Sequence, residues 1–264
     1  MNKDIPDSGY LYAAFGNKYI AEAVQSAQSL KSVDPSAHIT IVSNETVRSS
    51  VFDHHLLLES ELEDDWKLGL TGKTHSLALT PYHQTIFLDT DTYVLYPIGE
   101  LFDLLKYFDI CMAMAPADLS PCQVNNELIS ALTPYNTGVI AFRKTERVSN
   151  FLNDWHDEYK NNTEIYSGDQ PAFMKIFATS DIKMHSLHQH YNARTNLAFS
   201  LPGALVKIIH GRHKDFPAIA MRLNQKVVNR SWCPVLQDII TLGPSITPLN
   251  LLWRCLKRLN RGLQ

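Results

Sequence analysis

The stretch that decides the fold is YLYAAFGNKYIAEAVQSAQSL, residues 10–30, together with ITIV at residues 39–42. Its first six residues are apolar enough to form a buried strand, and Gly16 with Asn17 forms the turn that ends this strand. Asn17 can cap a helix. The apolar positions of that helix recur with a 3.6-residue period at Ile20, Ala23, Val24, Ala27 and Leu30. Because ITIV is a second strand, the stretch predicts a β-α-β unit and a parallel sheet with a right-handed crossover.

The rest of the chain continues to alternate strands with helices. Further strands are predicted at residues 85–88, 109–115, 137–142 and 206–209, and further helices at residues 67–79, around residues 148–159 and from residue 169 onward. This alternation is typical of the α/β class, in which a mostly parallel, twisted sheet is flanked by helices. Ligand sites in such sheets lie beyond the carboxyl ends of the strands. Asp89, Asp91 and His210 each lie at such an end and are therefore candidate site residues.

Composition limits the class of protein. With 264 residues, of which 45% are hydrophobic and 19% charged, the chain fits one large α/β domain or two small ones. Its net charge of −3 gives no basic field for nucleic acid. We find neither a signal peptide nor an apolar run of the roughly 18 residues that a membrane span needs. The four cysteines are scattered without a C-x-x-C pair, which favours a reducing, cytoplasmic location.

The end of the chain has a different pattern, which predicts a main domain over residues 1–230 and a helical tail over residues 231–264. Within the tail, Thr247 and Pro248 can begin an amphipathic helix over residues 248–264. One face carries Leu249, Leu252, Trp253, Leu256, Leu259 and Leu263, and the other carries Arg254, Lys257, Arg258 and Arg261. Such a helix either packs on the domain with its basic face in solvent or lies at the inner membrane surface on anionic lipid.

A second informative stretch is TIFLDTDTYVLYP, residues 85–97, in which an apolar strand ends in two carboxylates. Asp89 and Asp91 are separated only by the small Thr90, so in extended structure their side chains project to the same side. Two carboxylates on one side repel each other unless a proton or a cation neutralises them. Their oxygens suit Mg²⁺ or Mn²⁺, which can bridge carboxylates to a diphosphate. The spacing alone leaves a second interpretation open, in which the pair caps a turn through backbone N–H groups.

Five segments of the chain resemble, in the expected order, the GT-A nucleotide-sugar glycosyltransferases, and most closely the family-eight type. They are AAFGNKYIAEAVQSAQSL (13–30), KLGLTGKTHSLALTPYHQTIFLDTDTYVL (67–95), TPYNTGVIAFRK (133–144), SGDQPAF (167–173) and VKIIHGRHK (206–214). They resemble the family's nucleotide-binding strand and helix, its lysine-bearing helix leading into Asp-x-Asp, its Asn-Ser-Gly-Val strand, its Asp-Gln segment and its late metal-ligand histidine. The resemblance covers roughly residues 10–216 and implies a Rossmann-like GT-A fold.

The resemblance also implies a role for each matching residue. Asp89, Asp91 and His210 would bind Mn²⁺ or Mg²⁺, and Asp169 and Gln170 would face the anomeric carbon of the donor. Further contacts with the donor would come from Asn17, Tyr19, Lys73, Thr90, Asn136, Thr137, Gly138, Gly211, Arg212 and Lys214. Considered one at a time, such residues have ordinary interpretations as well. A helix lysine such as Lys73 is usually solvated, Asp169 can cap a helix, and a lone histidine is often only hydrogen-bonded.

Two features depart from the family pattern. Ala13-Ala14 stands where family members usually carry Thr, so we expect a different contact with the base. His210 is followed directly by Gly211, and the next residues are Arg-His-Lys without the family's Pro-Trp. Arg212 and Lys214 are therefore equal candidates for the partner of the diphosphate.

The predicted function is that of a metal-dependent glycosyltransferase, which moves a sugar from a nucleoside-diphosphate donor, a UDP-sugar by resemblance, to a hydroxyl acceptor with retention. The departing diphosphate accumulates negative charge that a divalent cation stabilises. Acceptor loops are predicted at residues 56–66, 118–133 and 185–200, and they do not identify a glycan, lipid-linked or protein acceptor. One alternative is a non-catalytic nucleotide-sugar- or glycan-binding module of the same fold. Another is a haloacid-dehalogenase-type phosphatase, whose motif wants Thr or Val where this chain has Tyr93.

A separate histidine cluster lies in MHSLHQHY, residues 184–191. A strand there would place His188 and His190 on one face, where they could bind Zn²⁺. We disfavour a zinc site because no carboxylate or cysteine accompanies these histidines at ligand spacing. A position near the acceptor or on the ordinary surface is the simpler interpretation.

Overall fold

The computed structural model describes residues 5–58, 66–115, 132–201, 203–225 and 229–241. The β-α-β unit at the start is present, with strand β1 at Ser8–Ala14, helix α1 at Asn17–Val33 and strand β2 at Ile39–Ser43. The two strands pair in parallel, with Tyr10 opposite Ile39. The structure therefore confirms the unit from which we predicted the fold class.

A seven-stranded sheet forms the centre of the described structure. Its other strands are β3 at His54–Leu57, β4 at Gln84–Leu88, β6 at Ile110–Met114, β7 at Tyr135–Arg143 and β8 at Met184–Leu187. They are ordered β3-β2-β1-β4-β7-β6-β8. Every strand runs in one direction except β7, which is antiparallel to both of its neighbours. The mostly parallel sheet is thus confirmed, and the first residues of β7 lie at the edge where the other strands end.

Helices cover both faces of this sheet. Besides α1 they are α2 at Trp66–Ala78, α3 at Glu100–Leu104, α4 at Glu146–Asn161 and α5 at Asp169–Phe177. A further helix, α6 at Phe216–Gln225, packs instead against the small sheets described below. One buried cluster joins Tyr10 and Tyr12 of β1 to α1 and α3, while a second joins Leu11 of β1 to α2, α4 and α5. This division follows from the alternation of side chains along a strand. Among the described residues, no helix combines the length and the apolar character needed to cross a membrane.

Two small sheets extend the domain. One has the order β5-β11-β9 and contains β5 at Thr92–Val94, β9 at Ala193–Arg194 and β11 at Ile208–His210. The other has the order β10-β12-β13 and contains β10 at Phe199–Leu201, β12 at Arg230–Cys233 and β13 at Asp238–Thr241. The first small sheet positions the site, because β5 begins directly after Asp91 and β11 ends on His210.

The cap predicted for α1 is wrong. Gly16 occupies the N-cap position and Asn17 is the first helical residue, and no side chain caps this end. The Gly16 N–H instead donates to Asn44 Oδ1 at 3.0 Å. A side chain from the loop after β2 thus engages the turn, which a local reading of the sequence does not reveal.

The predicted helical tail over residues 231–264 also differs from the structure at its start. Residues 230–241 form the antiparallel hairpin of β12 and β13, which pairs with β10. A helical tail is therefore wrong for residues 231–241, where the buried Trp232 packs against Phe199 of the neighbouring strand. The helix predicted at residues 248–264 lies outside the described residues. So do residues 59–65 and 118–131 of the predicted acceptor loops.

Candidate functional site

Polar side chains from distant segments meet at the edge of the central sheet where its parallel strands end. Asp89 follows β4, and its backbone N–H donates to the Gly138 carbonyl of β7 at 2.8 Å. Because β7 is antiparallel, its early residues Asn136 and Thr137 reach this same edge. A cavity of about 300 Å³ opens there. The predicted residues that line it are Tyr19, Lys73, Asp89, Thr90, Asp91, Asn136, Thr137, Asp169, Gln170, His210 and Arg212.

Asp89, Asp91 and His210 form one cluster in this cavity. His210 Nε2 lies 3.2 Å from Asp91 Oδ1 and 3.6 Å from Asp89 Oδ2. One ligand atom from each residue lies within 4.8 Å of the other two. His210 is held there because β11 pairs with β5, which places His210 opposite Thr92. In the described part of the chain neither carboxylate accepts a backbone N–H, so turn capping does not account for the pair.

A chain of hydrogen bonds fixes the orientation of the His210 ring. The Gly138 N–H donates to Asn136 Oδ1 at 3.0 Å. Asn192 Nδ2 donates to the same oxygen at 2.8 Å, which leaves Asn192 Oδ1 facing His210 Nδ1 at 2.7 Å. Nδ1 must therefore carry a proton, and Nε2 faces the two carboxylates. Since a lone pair and two carboxylates repel one another, Nε2 needs either a second proton or a cation between it and the carboxylates. This arrangement fits a metal-ligand histidine with an oriented ring.

Two glycines allow these segments to approach closely. A Cβ atom at Gly138 would lie 2.0 Å from Cε1 of the His210 ring. At Gly211 the backbone φ is 114°, and a Cβ atom would lie 2.4 Å from Thr195 Oγ1. Both residues thus shape the site without lining the cavity.

Lys73 connects this cluster to a third carboxylate. Its Nζ lies 2.9 Å from Asp89 Oδ1 and 3.0 Å from Asp169 Oδ2. Burial acts to lower the pKa of Lys73, but the charges of Asp169 and Asp89 outweigh it and raise the pKa above its ordinary value. Lys73 is therefore a buried, charged side chain, and its interpretation as a solvated lysine is wrong. Asp169 begins α5 with its side chain directed at Lys73, and no side chain caps this helix.

The two carboxylates of the Asp-x-Asp pair differ in their electrostatics. Burial raises the pKa of Asp89 above its ordinary value, because Lys73 and His210 oppose it only in part. Burial acts in the same direction on Asp91, but the charge and hydrogen bond of His210, followed by Arg212 and Arg194, hold its pKa well below the ordinary value. Asp91 is consequently the carboxylate that stays ionised most readily.

Two predicted residues lie apart from this centre. Asn17 is exposed at the start of α1, and Lys214 is exposed after β11. Neither lines the cavity. Of the two candidates for the diphosphate partner, the structure therefore places Arg212 and not Lys214 at the cavity.

Three residues with a role at the site were not predicted from the sequence. Asn192 orients His210, Arg194 lines the cavity from β9, and Glu22 of α1 forms an ion pair with Arg212 at 2.7 Å. The only available signal was the position of Glu22 one helical turn after Tyr19. Nothing in the sequence around Arg194 distinguishes it from a surface arginine.

The histidines of residues 184–191 do not share a strand face as predicted. β8 ends at Leu187, and His188 caps a short 3₁₀ helix at Gln189–Tyr191. His188 Nδ1 and His190 Nδ1 lie 2.6 Å apart in a hydrogen bond. Within the described ranges, Asp89, Asp91 and His210 lie close enough together to form a group of three potential metal ligands, and these histidines do not.

Comparison with known proteins identifies the family. The family model described as nucleotide-diphospho-sugar transferase matches residues 82–215, just over half of the chain. Human Glycogenin-2 is 30% identical over 152 residues, which are 54% of this chain and 27% of that protein. The matched region thus spans about a quarter of the length of this relative.

Two solved structures share the fold. The glycosyltransferase GlyE of Streptococcus pneumoniae TIGR4 has a TM-score of 0.56 at 15% identity, over 79% of this chain and 56% of that chain. The galactosyltransferase LgtC, in complex with donor and acceptor sugar analogues, has a TM-score of 0.56 at 13% identity, over 82% of this chain and 94% of that chain. These likenesses confirm the predicted GT-A fold. Taken with the family match, they show that the chain belongs to the nucleotide-diphospho-sugar transferase family, of the family-eight type that its motifs resemble.

Proposed function

We propose that the protein is a metal-dependent glycosyltransferase that transfers a sugar from a UDP-sugar to a hydroxyl acceptor. The observation that carries this proposal is the position of His210 Nε2, 3.2 Å from Asp91 Oδ1, while Nδ1 is engaged by Asn192. Two carboxylates and one oriented imidazole are a ligand set for a divalent cation. The carboxylate oxygens suit Mg²⁺ or Mn²⁺, and the imidazole nitrogen favours Mn²⁺ of the two.

Different residues at the cavity would bind different parts of the donor. A divalent cation on Asp89, Asp91 and His210 would supply Lewis-acid stabilisation of the departing diphosphate. Arg212 adds a fixed positive charge for the same group. Tyr19 offers an aromatic ring to the base from the first turn of α1.

Asn136 and Gln170 are the proposed contacts of the donor sugar. Asn136 Nδ2 donates to Gln170 Oε1 at 3.4 Å, while Asn136 Oδ1 is engaged by Gly138 and Asn192. The sugar hydroxyls would therefore meet the amide groups of these two side chains. Asp169, held 3.0 Å from Lys73, presents a carboxylate beside them to the anomeric carbon. We propose that the acceptor attacks from the face of the departing diphosphate, with retention, as the family resemblance implies.

The proposal is tested by incubating the protein with UDP-glucose, UDP-galactose and UDP-N-acetylglucosamine in MnCl₂ and measuring UDP release. We expect release from at least one donor, abolished by EDTA and restored by Mn²⁺. UDP binding without turnover on any acceptor pool would favour the binding module of the same fold. Hydrolysis of p-nitrophenyl phosphate without UDP release would favour the phosphatase.

We also propose a cytoplasmic location with contact at the inner membrane surface through residues 248–264. The support is the sequence alone, in which four basic residues and no acidic residue fall on one face of the predicted helix. Sedimentation with vesicles that contain anionic lipid tests it. Deletion of residues 248–264 should abolish binding, and unchanged binding by the truncated protein would contradict the proposal.

A further inference from the structure

Glu22 and Arg212 form an ion pair beside the cavity, although they lie 190 positions apart in the sequence. Arg212 Nε donates to Glu22 Oε1 at 2.7 Å, and Arg212 Nη2 donates to Glu22 Oε2 at 3.0 Å. The Thr90 hydroxyl donates to the same Oε2 at 3.3 Å. One carboxylate therefore contacts both the residue between Asp89 and Asp91 and the guanidinium two positions after His210.

The geometry of the pair leaves part of the guanidinium available. Glu22 engages Nε and one N–H of Nη2, whereas Nη1 has no hydrogen-bond partner within the described ranges. Arg212 lines the cavity and Glu22 does not. The exposed fractions agree with this placement, at 54% for the Arg212 side chain and 19% for that of Glu22. Glu22 thus contacts Arg212 from outside the cavity lining, and the remaining N–H groups of Arg212 can donate to an anion in the cavity.

The same helix restrains Arg212 a second time. Arg212 Cζ lies 6.0 Å from the centroid of the Tyr19 ring. Tyr19 and Glu22 are three positions apart on α1 and so share a face of that helix. An arginine side chain with two such contacts has already lost much of its rotamer freedom before it meets a ligand.

We propose that Glu22 is a positioning residue that holds Arg212 in the orientation that receives the diphosphate of the donor. This inference rests on the proposed function. Ordering a free arginine side chain on binding costs conformational entropy, and a side chain that is already ordered avoids this cost. If Glu22 instead competed with the diphosphate for Arg212, its removal would strengthen binding, so the two arrangements predict opposite signs.

Substitution Glu22→Gln tests the inference, because it removes the charge and keeps the shape and one acceptor oxygen. We expect the Kd for UDP in MnCl₂, measured by isothermal titration calorimetry, to rise about two- to tenfold. The same substitution in an Arg212→Ala background should have no further effect, since Glu22 acts through Arg212. Glu158→Gln is the matched control: it removes a carboxylate that is 15% exposed and pairs with Lys175 at 2.8 Å, and UDP affinity should not change.

Three results would overturn the inference, and they can be told apart. Unchanged or tighter UDP binding by Glu22→Gln, with the parent protein binding normally, removes the positioning role and leaves the donor site intact. An equal loss from Glu22→Gln in the parent and in Arg212→Ala indicates a general structural effect. Failure of the parent protein to bind either UDP or inorganic pyrophosphate with Mn²⁺ removes the proposed function itself and this inference with it.

Discussion

Both edges of the central sheet carry carboxylates, but the protein neutralises the charge of these carboxylates to different extents. At the edge where the parallel strands begin, Asp109 directly precedes β6 and its side chain is 0% exposed. It accepts hydrogen bonds from Arg143 Nη2 at 2.6 Å, from Arg147 Nη2 at 2.7 Å and from the Lys183 N–H at 3.0 Å. Two cations and a backbone donor from three segments of the chain thus neutralise one carboxylate.

At the opposite edge, the carboxylates outnumber the cationic groups in contact with them. Asp89 and Asp91 face one imidazole nitrogen, and the ammonium group of Lys73 is shared between Asp89 and Asp169. The difference indicates that burial of a carboxylate does not by itself identify a ligand site. The number of cations that the protein supplies distinguishes a structural carboxylate from one arranged for an added cation.

The largest effect that we expect is a loss of folding stability when Asp109 is replaced. Asp109→Asn removes the buried carboxylate that two guanidinium groups share and should lower the free energy of unfolding by about 3 kcal/mol. Urea denaturation measures this change, and UDP affinity should stay the same. Asp181→Asn is the control, because Asp181 is 78% exposed and pairs with Arg147 at 3.5 Å; we expect less than about 1 kcal/mol there. An equal loss of unfolding free energy in both variants would contradict the structural role that we assign to Asp109.

The converse substitution tests the other edge. Asp91→Asn removes a proposed metal ligand and should weaken UDP binding in MnCl₂ by at least about 100-fold, the upper end of the range for loss of a mere hydrogen-bond partner of a metal ligand. The free energy of unfolding should fall by less than in Asp109→Asn, because the loss of the contact with His210 is partly offset by the relief of repulsion between two carboxylates. Calorimetric titration measures the affinity. Parent-like binding would mean that the carboxylates do not hold the cation.

A smaller effect should follow at the partner of the histidine. Asn192→Ala removes the acceptor of His210 Nδ1–H and should reduce Mn²⁺-dependent UDP affinity about tenfold. The reduction should be accompanied by loss of metal selectivity and not by loss of secondary structure, which circular dichroism checks. Undiminished affinity would show that the ring of His210 is oriented by other means.

The smallest effect concerns pH. Burial acts to raise the pKa of Asp109, but the hydrogen bonds from the Lys183 backbone, Arg143 and Arg147 outweigh it and lower the pKa below its ordinary value. A carboxylate with a depressed pKa stabilises the fold above its unfolded pKa, near 3.9, and loses that contribution as the pH falls through the folded pKa. The stability difference between the parent and Asp109→Asn should therefore shrink below about pH 4. A difference that stays constant down to pH 2 would contradict this sign.

The contrast between the edges also explains how much could be predicted. Asp89, Asp91 and His210 each belong to a local pattern, an apolar strand that ends in a polar residue, and the sequence displays such patterns directly. Asn192 and Glu22 act on His210 and Arg212, which lie 18 and 190 positions away, and no local pattern marks such pairs. The antiparallel direction of β7 could not be predicted from the sequence either, because an apolar strand has the same composition in either direction.

The central claim is that Asp89, Asp91 and His210 bind a divalent cation that in turn binds a nucleoside diphosphate. Electron paramagnetic resonance of Mn²⁺ tests this most directly, because only free Mn²⁺ gives the sharp six-line signal. We expect the protein to remove one Mn²⁺ per chain from that signal, UDP to tighten this binding, and Asp91→Asn to abolish it. A free Mn²⁺ signal that neither the protein nor the protein with UDP reduces, or an equal reduction by Asp91→Asn, would contradict the claim.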